Sequence, residues 1–505
     1  MSGVVAVLPL DDRPVTYRQV AELGQLSGAT VLLPPREMLG RRGAAGDLPA
    51  LVGWLEQTAG RSDAVVVSLN QLVHGGYVPS RRTTETMADW LPRLQVLHRL
   101  RDTRPDLRIY AHAVLMRTKA RNDAGAEPAY WADHGRHFGD LSRELYRAEH
   151  GRPDQVADAR AAIPAKLITD LVRRRVQLHQ LQLHALSMTA DGIIDLLAIT
   201  PEDTTAESMS TSEREWLQAW IGRYGIADRA LCYPGADEVG SVLLGRAVLG
   251  AAGRPAPTAL VLCAVDGGLD RIAAYEDVPV GQTIAAQLDA SGLRRACSVD
   301  EADLVVAVHP PGLPERDWFH PSAGQAAAQD RRAAAQALAD QVAELVGHGH
   351  RVVVADVADA NGSDPALVEA LRARLPLDRL AGYAGWNTAG NSIGSALAQG
   401  CATMTGADVP GIARRRVLTR RFLDDWAYQT QGRALLRPTA TTHPSALSAE
   451  PDGTMLAVEA LLAERLAELP GLAGACRLRP GSVDLPWGRS FEVDFELDTA
   501  EEHDG

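Results

Sequence analysis

Residues 351–374 read RVVVADVADANGSDPALVEALRAR, and the character of the chain changes twice within them. Arg351–Ala355 is a short β-branched run, the following turn collects Asp356, Asp359, Asn361, Gly362 and Asp364, and Pro365–Arg374 carries apolar residues at helical spacing. An apolar run without alternation, followed directly by a helix, is a strand buried on both faces of a parallel sheet. Asp364 ahead of Pro365 reads as a helix cap with proline at the first helical position. The same unit recurs along the chain. Strand runs stand at Val4–Leu8, Thr30–Leu33, Ala64–Ser68, Arg108–Ala113, Ile193–Ile199, Ala230–Tyr233, Ala259–Val265, Leu304–Val308 and Leu380–Ala384. Between them lie helical stretches such as Met87–Arg101, Ala161–Leu186, Glu213–Tyr224, Val239–Leu249 and Gln325–Val346. The expected class is α/β with mostly parallel strands.

The Pro/Gly/Ala-rich AGRPAPT at Ala252–Thr258 marks a boundary. Residues 1–255 are expected to form a barrel-like α/β part, complete or incomplete, and 256–405 a smaller doubly wound part. Residues 406–505 lose the alternation and are expected to pack back on the core, with WGRSFEVDFEL as a terminal strand before an acidic tail.

The chain has 505 residues, 51 Lys+Arg against 64 Asp+Glu and a formal net charge of −13. That balance argues against a nucleic-acid partner or an anionic membrane surface, which need clustered positive charge. Five scattered cysteines without metal-type spacing read as reduced thiols. The apolar run near the start has no preceding positive charge, and no stretch reaches membrane-spanning length. The expected address is the cytoplasm, with no cofactor and no bound metal, and the oligomeric state is left open.

In parallel α/β folds ligands bind beyond the carboxyl ends of the strands. Nearly every strand run here ends in carboxylates, amides or glycines. The first leads into Asp11, Asp12 and Arg13, the third into Asn70, His74, Tyr77 and Arg81, and the fifth into Glu202 and Asp203. The sixth leads into Pro234, Gly235, Asp237 and Glu238, and later ones into Asn361 and into Trp386, Asn387 and Asn391. Each cluster also has a reading as turn formers and helix caps. Asp237-Glu238 is the sharpest pair: at a strand-to-helix turn both side chains can point into one pocket, with one expected as a raised-pKa acid and the other as an ionised stabiliser. GADEV is similar to the GGDEV-type segment of β-hexosaminidases, in which an Asp positions the acetamido group and the next Glu protonates the leaving oxygen.

LPLDDRPV, HGGYVPSR, the Asp203 strand end, GADEVGSVLLGRA, DVADANGSD and GYAGWNTAGNSIG resemble, in this order, the motifs of the bacterial family called domain of unknown function 4127. The likeness covers almost the whole chain. It implies a cytosolic bacterial protein found among carbohydrate-uptake functions, and supplies no catalytic assignment. Pro201-Glu202-Asp203 stands where members of that family tend to carry a paired Asp.

The expected function is a carbohydrate-active enzyme, foremost a glycoside hydrolase. Glu238 is the expected general acid, Asp237 the stabilising carboxylate, and Asp12 or Asp203 the alternative second carboxylate. Asp11, Arg13, Asn70, Tyr77, Arg81, Arg117, Asn361, Trp386, Asn387 and Asn391 would bind the carbohydrate, with Arg13, Arg81 and Arg117 available to clamp an acidic or phosphorylated sugar. Two alternatives use the same residues: a hydrolase or lyase dependent on a divalent metal, with a hard cation such as magnesium, and a non-catalytic sugar sensor.

Overall fold

The computed structural model describes residues 3–253, 255–319, 328–406, 409, 411–436 and 453–499. The expected acidic tail from 500 onward and the first residues of the expected helix Gln325–Val346 lie outside these.

The first six strands are β1 (Val4–Leu8), β2 (Thr30–Leu32), β3 (Ala64–Ser68), β4 (Arg108–Leu115), β5 (Leu196–Pro201) and β6 (Ala230–Cys232). They form one sheet in the order β2-β1-β3-β4-β5-β6, all neighbours parallel. β2 and β6 are its two edges and do not pair, so the barrel-like closure expected of this part does not form: the sheet is open. Its two faces are covered because successive residues point opposite ways. Ala6, Leu8, Val65, Val67, Ile109 and Ala111 enter one apolar cluster. Val5, Val7, Val66, Tyr110 and Ala198 enter another on the opposite face. Helices on both faces remove any need to close.

The second sheet contains β7 (Thr258–Cys263), β8 (Arg294–Arg295), β9 (Leu304–His309), β10 (Val352–Asp356) and β11 (Gly382–Ala384). Its order is β11-β10-β9-β7-β8, again parallel throughout. Counted from its own first strand this is the doubly wound order 2-1-3-4-5, which the first sheet shows too. Ten of the strands match the expected runs in place. β8, two arginines at an edge, carries no apolar signal and was not expected. Of the closing run WGRSFEVDFEL, expected to be a strand, only Leu497 is in one, as the first residue of β13 (Leu497–Thr499), which pairs antiparallel with β12 (Cys476–Leu478).

The two sheets share a layer of helices. Val239–Ala251 follows β6 and Ala389–Thr405 follows β11, and the two pack together where Gly245 meets Cys401 and Ala398. This shared layer turns the carboxyl ends of both sheets toward one space.

Candidate functional site

A cleft of about 850 Å³ lies between the carboxyl ends of the two sheets. The first sheet supplies Arg13, Tyr77, Arg117, Glu202, Asp203 and Asp237; the second supplies Tyr275, Glu276, Asn361, Asn387, Thr388 and Asn391. Arg489 and Phe491 close it from the C-terminal segment.

Backbone and side-chain bonds cross the cleft floor. Thr204 N–H donates to Tyr275 O at 2.8 Å, Gly235 N–H to Pro201 O at 3.1 Å and Asn361 N–H to Asn387 O at 2.8 Å. Asp237 N–H donates to Asn391 Oδ1 at 3.1 Å. A π-helical stretch, Phe422–Gly432, props this floor from behind. Asp425 accepts from Gly385 N–H at 2.8 Å, and its carbonyl accepts from Ser363 N–H at 2.8 Å.

Six non-glycine residues among those described have positive φ: Arg42, Asp203, Tyr275, Asn361, Asn387 and Trp487. The first five line the cleft, and Trp487 stacks under Arg13, 5.0 Å from its ring centroid to Cζ. Left-handed backbone at non-glycine residues costs on the order of 1 kcal/mol each and gathers where a fold holds functional side chains in place. Here all six instances meet at one site.

Arg13 organises the first-sheet side. Its guanidinium donates to Asp11 Oδ2 at 2.9 Å, to Asp237 through both terminal nitrogens, and to Glu492 Oε1 at 3.1 Å. Asp11 is oriented by Thr16 Oγ1 at 2.7 Å. Asp237 also accepts from Asn387 Nδ2 at 3.3 Å. A second network joins Arg81 to Glu127 and Glu202, and Arg117 to Glu127 and Asp203. Tyr77 lies between the networks, its ring centroid 5.5 Å from Arg13 Cζ and 4.1 Å from Arg81 Cζ.

Glu276, on the loop after β7, lines the same cleft. Its two carboxyl oxygens accept from Gly390 N–H and, at 3.1 Å, from Thr283 Oγ1. Burial, only partly offset by these bonds, pushes it up to about 7. At neutral pH a large fraction of this carboxyl therefore holds its proton while it lines the cleft.

Of the sequence-derived candidates, Arg13, Tyr77, Arg117, Asp203, Asp237, Asn361, Asn387 and Asn391 line the cleft and Glu238, Asp11, Asp12, Asn70, Arg81 and Trp386 do not. Glu238 is fully buried beneath the Pro234–Gly235 turn, bonded to Ala236 N–H at 2.9 Å and to Gln287 Nε2 at 3.2 Å. Burial pushes it up to about 8, yet Gly235 covers it so closely that a Cβ there would collide with Oε1. Helix geometry explains the split: Asp237 and Glu238 are consecutive, and their side chains diverge as the helix begins at Val239. Asn70 Oδ1 accepts from Val114 N–H at 2.8 Å and secures the end of β4. Asp12 accepts from Trp487 Nε1 at 2.7 Å and lines a smaller cavity of about 390 Å³ on the far side of Arg13. Trp386 is buried against Phe491, 5.3 Å between ring centroids, so its face is not the platform its sequence position predicted. Tyr77, Phe319 and Phe491 are aromatic residues that line the cleft instead.

Sequence reading missed Tyr275, Glu276, Arg489 and Phe491. Glu276 follows β7 by thirteen residues, too far to be read as a strand end, and the C-terminal segment has no strand signal ahead of Arg489. Among the described residues no three histidine, cysteine, aspartate or glutamate side chains group as a metal ion requires. No helix among them is long and apolar enough to cross a membrane.

No curated protein and no solved structure matches the chain. A family model described as "Protein of unknown function (DUF4127)" matches residues 5–496, and the chain belongs to that family.

Proposed function

We propose that this protein is a carbohydrate-active enzyme, a glycoside hydrolase working in the cleft between the two sheets. The observation that carries the reading is the presence in one cleft of Glu276, a carboxyl pushed up to about 7, and Asp237, a carboxylate held by Arg13. Two carboxyl groups of contrasting environment are what glycosidic cleavage uses. The acid role moves from Glu238 to Glu276, because a general acid must reach the leaving oxygen and Glu238 is sealed.

In this reading the substrate lies over Tyr77 and Phe491, with Asn361, Asn387 and Asn391 bonding its hydroxyls. Glu276 gives its proton to the glycosidic oxygen as the bond to the anomeric carbon breaks. Asp237 stabilises the positive charge that develops on the ring. Glu276, now ionised, takes a proton from the water that adds to the anomeric carbon, so the acid is regenerated. The reaction belongs in the cytoplasm: all five cysteines are unpaired, as in a reducing compartment.

The test is a panel of nitrophenyl glycosides of common hexoses, N-acetylhexosamines and uronic acids, scored by nitrophenol release across pH 4–9. Turnover with an alkaline limb near pH 7, where the acid form of Glu276 is lost, supports the reading. Absence of turnover on the whole panel together with no sugar binding by calorimetry refutes it.

A further inference from the structure

The arginines that the sequence nominated to clamp an acidic sugar are already consumed by the protein. Arg13 is shared among three carboxylates, Arg81 between two, and Arg117 between Glu127 and Asp203. Arg489 differs. Its side chain keeps 19% of its exposure, and its nearest carboxylate oxygen is Glu492 Oε1 at 3.5 Å, an oxygen already held by Arg13 at 3.1 Å. Its Nε is buried without a partner, and neither terminal nitrogen makes a hydrogen bond within the described residues. The guanidinium is held flat by two rings, 4.6 Å from the Trp487 centroid and 5.8 Å from that of Phe491. The fork, positioned by stacking and lining the cleft, thus has one buried donor with no acceptor and a terminal nitrogen that meets only an oxygen shared with Arg13.

We propose that Arg489 is an anion-recognising subsite of the cleft, and that the natural ligand is a sugar bearing an acidic group, carboxylate or phosphate, which the Arg489 fork binds. The proposal rests on the carbohydrate reading above for the sugar, but the acid recognition stands on Arg489 alone. A planar fork pre-ordered between aromatic faces loses little freedom on meeting an anion, and suits one that accepts two parallel bonds. Burial holds the Arg489 pKa down to about 10, which still leaves it charged at neutral pH. The neighbouring Glu492, pushed up to about 7 by burial, is only in part ionised there and neutralises Arg489 incompletely.

The experiment is calorimetric titration of the full chain with glucuronate and galacturonate, with glucose and galactose as their neutral counterparts, and with glucose 6-phosphate as the phosphate arm. Wild type is expected to bind at least one acidic sugar about 10- to 100-fold more tightly than its neutral counterpart, the range of one charge-assisted contact. Arg489→Met, which keeps the stem on the rings, is expected to erase that preference while leaving neutral-sugar affinity within a few-fold. Arg489→Lys is expected to retain part of it. The carboxylate and phosphate arms decide which anion the fork takes. Equal affinity for acidic and neutral sugars in wild type overturns the proposal even if no variant folds, as does a preference that survives Arg489→Met or no acidic sugar bound at 10 mM, a limit of about −2.7 kcal/mol. Acidic sugars that bind but are never turned over, even as glycosides, would leave the subsite standing and remove the hydrolase.

Discussion

The corner where Arg13, Asp237 and Glu276 meet the cleft and the corner at the ends of β9 and β10 are built from the same materials. In the second, Asp364 bonds His309 Nε2 at 3.2 Å, and Asp356 accepts from Asp364 N–H at 2.7 Å and Tyr383 Oη at 3.3 Å. Asp359 is held by Arg316 and Arg331. Burial pushes Asp356 up to about 7, the same level as Glu276. Yet Asp356, Asp359, Asp364 and His309 line neither cavity, whereas Glu276 and Asp237 do. A strand-end carboxyl with a raised pKa is therefore not sufficient for a site. In the β9–β10 corner the carboxylates are held by bonds and ion pairs and Asp364 caps the helix Pro365–Arg372; Glu276 and Asp237 are bonded too, but they line the cleft.

The sharpest way to break this distinction is to neutralise carboxyls in matched pairs. Glu276→Gln is expected to lower glycoside turnover by about 10²- to 10⁴-fold, the worth of a general acid, with sugar affinity nearly kept. Glu238→Gln, at a carboxyl raised further but sealed, should change the rate less than about threefold. Steady-state rates for the two variants reverse the assignment if the order is reversed.

Next in size is the ion network. Arg13→Met leaves Asp11, Asp237 and Glu492 buried without their shared cation, and is expected to cost about 3–5 kcal/mol in urea unfolding at pH 7. Protonation at lower pH should recover part of that loss. A cost below about 1 kcal/mol would mean that Arg13 holds nothing together.

The pH dependence of stability tests the sealed corner. A carboxyl near 7 in the folded chain and about 4 when unfolded binds its proton more tightly in the native state. Its contribution is fully present below pH about 4, is lost progressively as pH rises to about 7, and is level above that. Asp356→Asn removes it, so the decline in unfolding free energy over that window should be shallower by up to about 1.4 kcal/mol per pH unit. Glycoside turnover should be unaltered. A loss of activity in Asp356→Asn would open the corner that the geometry closes.

The smallest expected effect is Tyr383→Phe. It removes the hydroxyl that is bonded to Ser363 Oγ at 2.7 Å and donates to Asp356 at 3.3 Å, and should cost about 1–2 kcal/mol of stability and nothing in rate.

What the sequence determined by itself is the class of fold and the places where chemistry gathers. β-branched runs such as Ala64–Ser68 and Leu304–Val308 have no competing helical reading, so local patterning was enough to find the parallel strands. The ends of those strands supplied Arg13, Asp203, Asp237, Asn361 and Asn387. The open form of the first sheet, the side of a turn on which Glu238 lies, and the placing of Glu276 and Asp237 in one cleft were decided by tertiary structure alone. Each depends on packing between distant segments: helices covering both faces of the first sheet, the Val239–Ala251 and Ala389–Thr405 helices shared between the sheets, and a C-terminal segment brought back over Arg13. Which of these equally buried carboxyls line a cleft is a property of that packing, and no single stretch of residues encodes it.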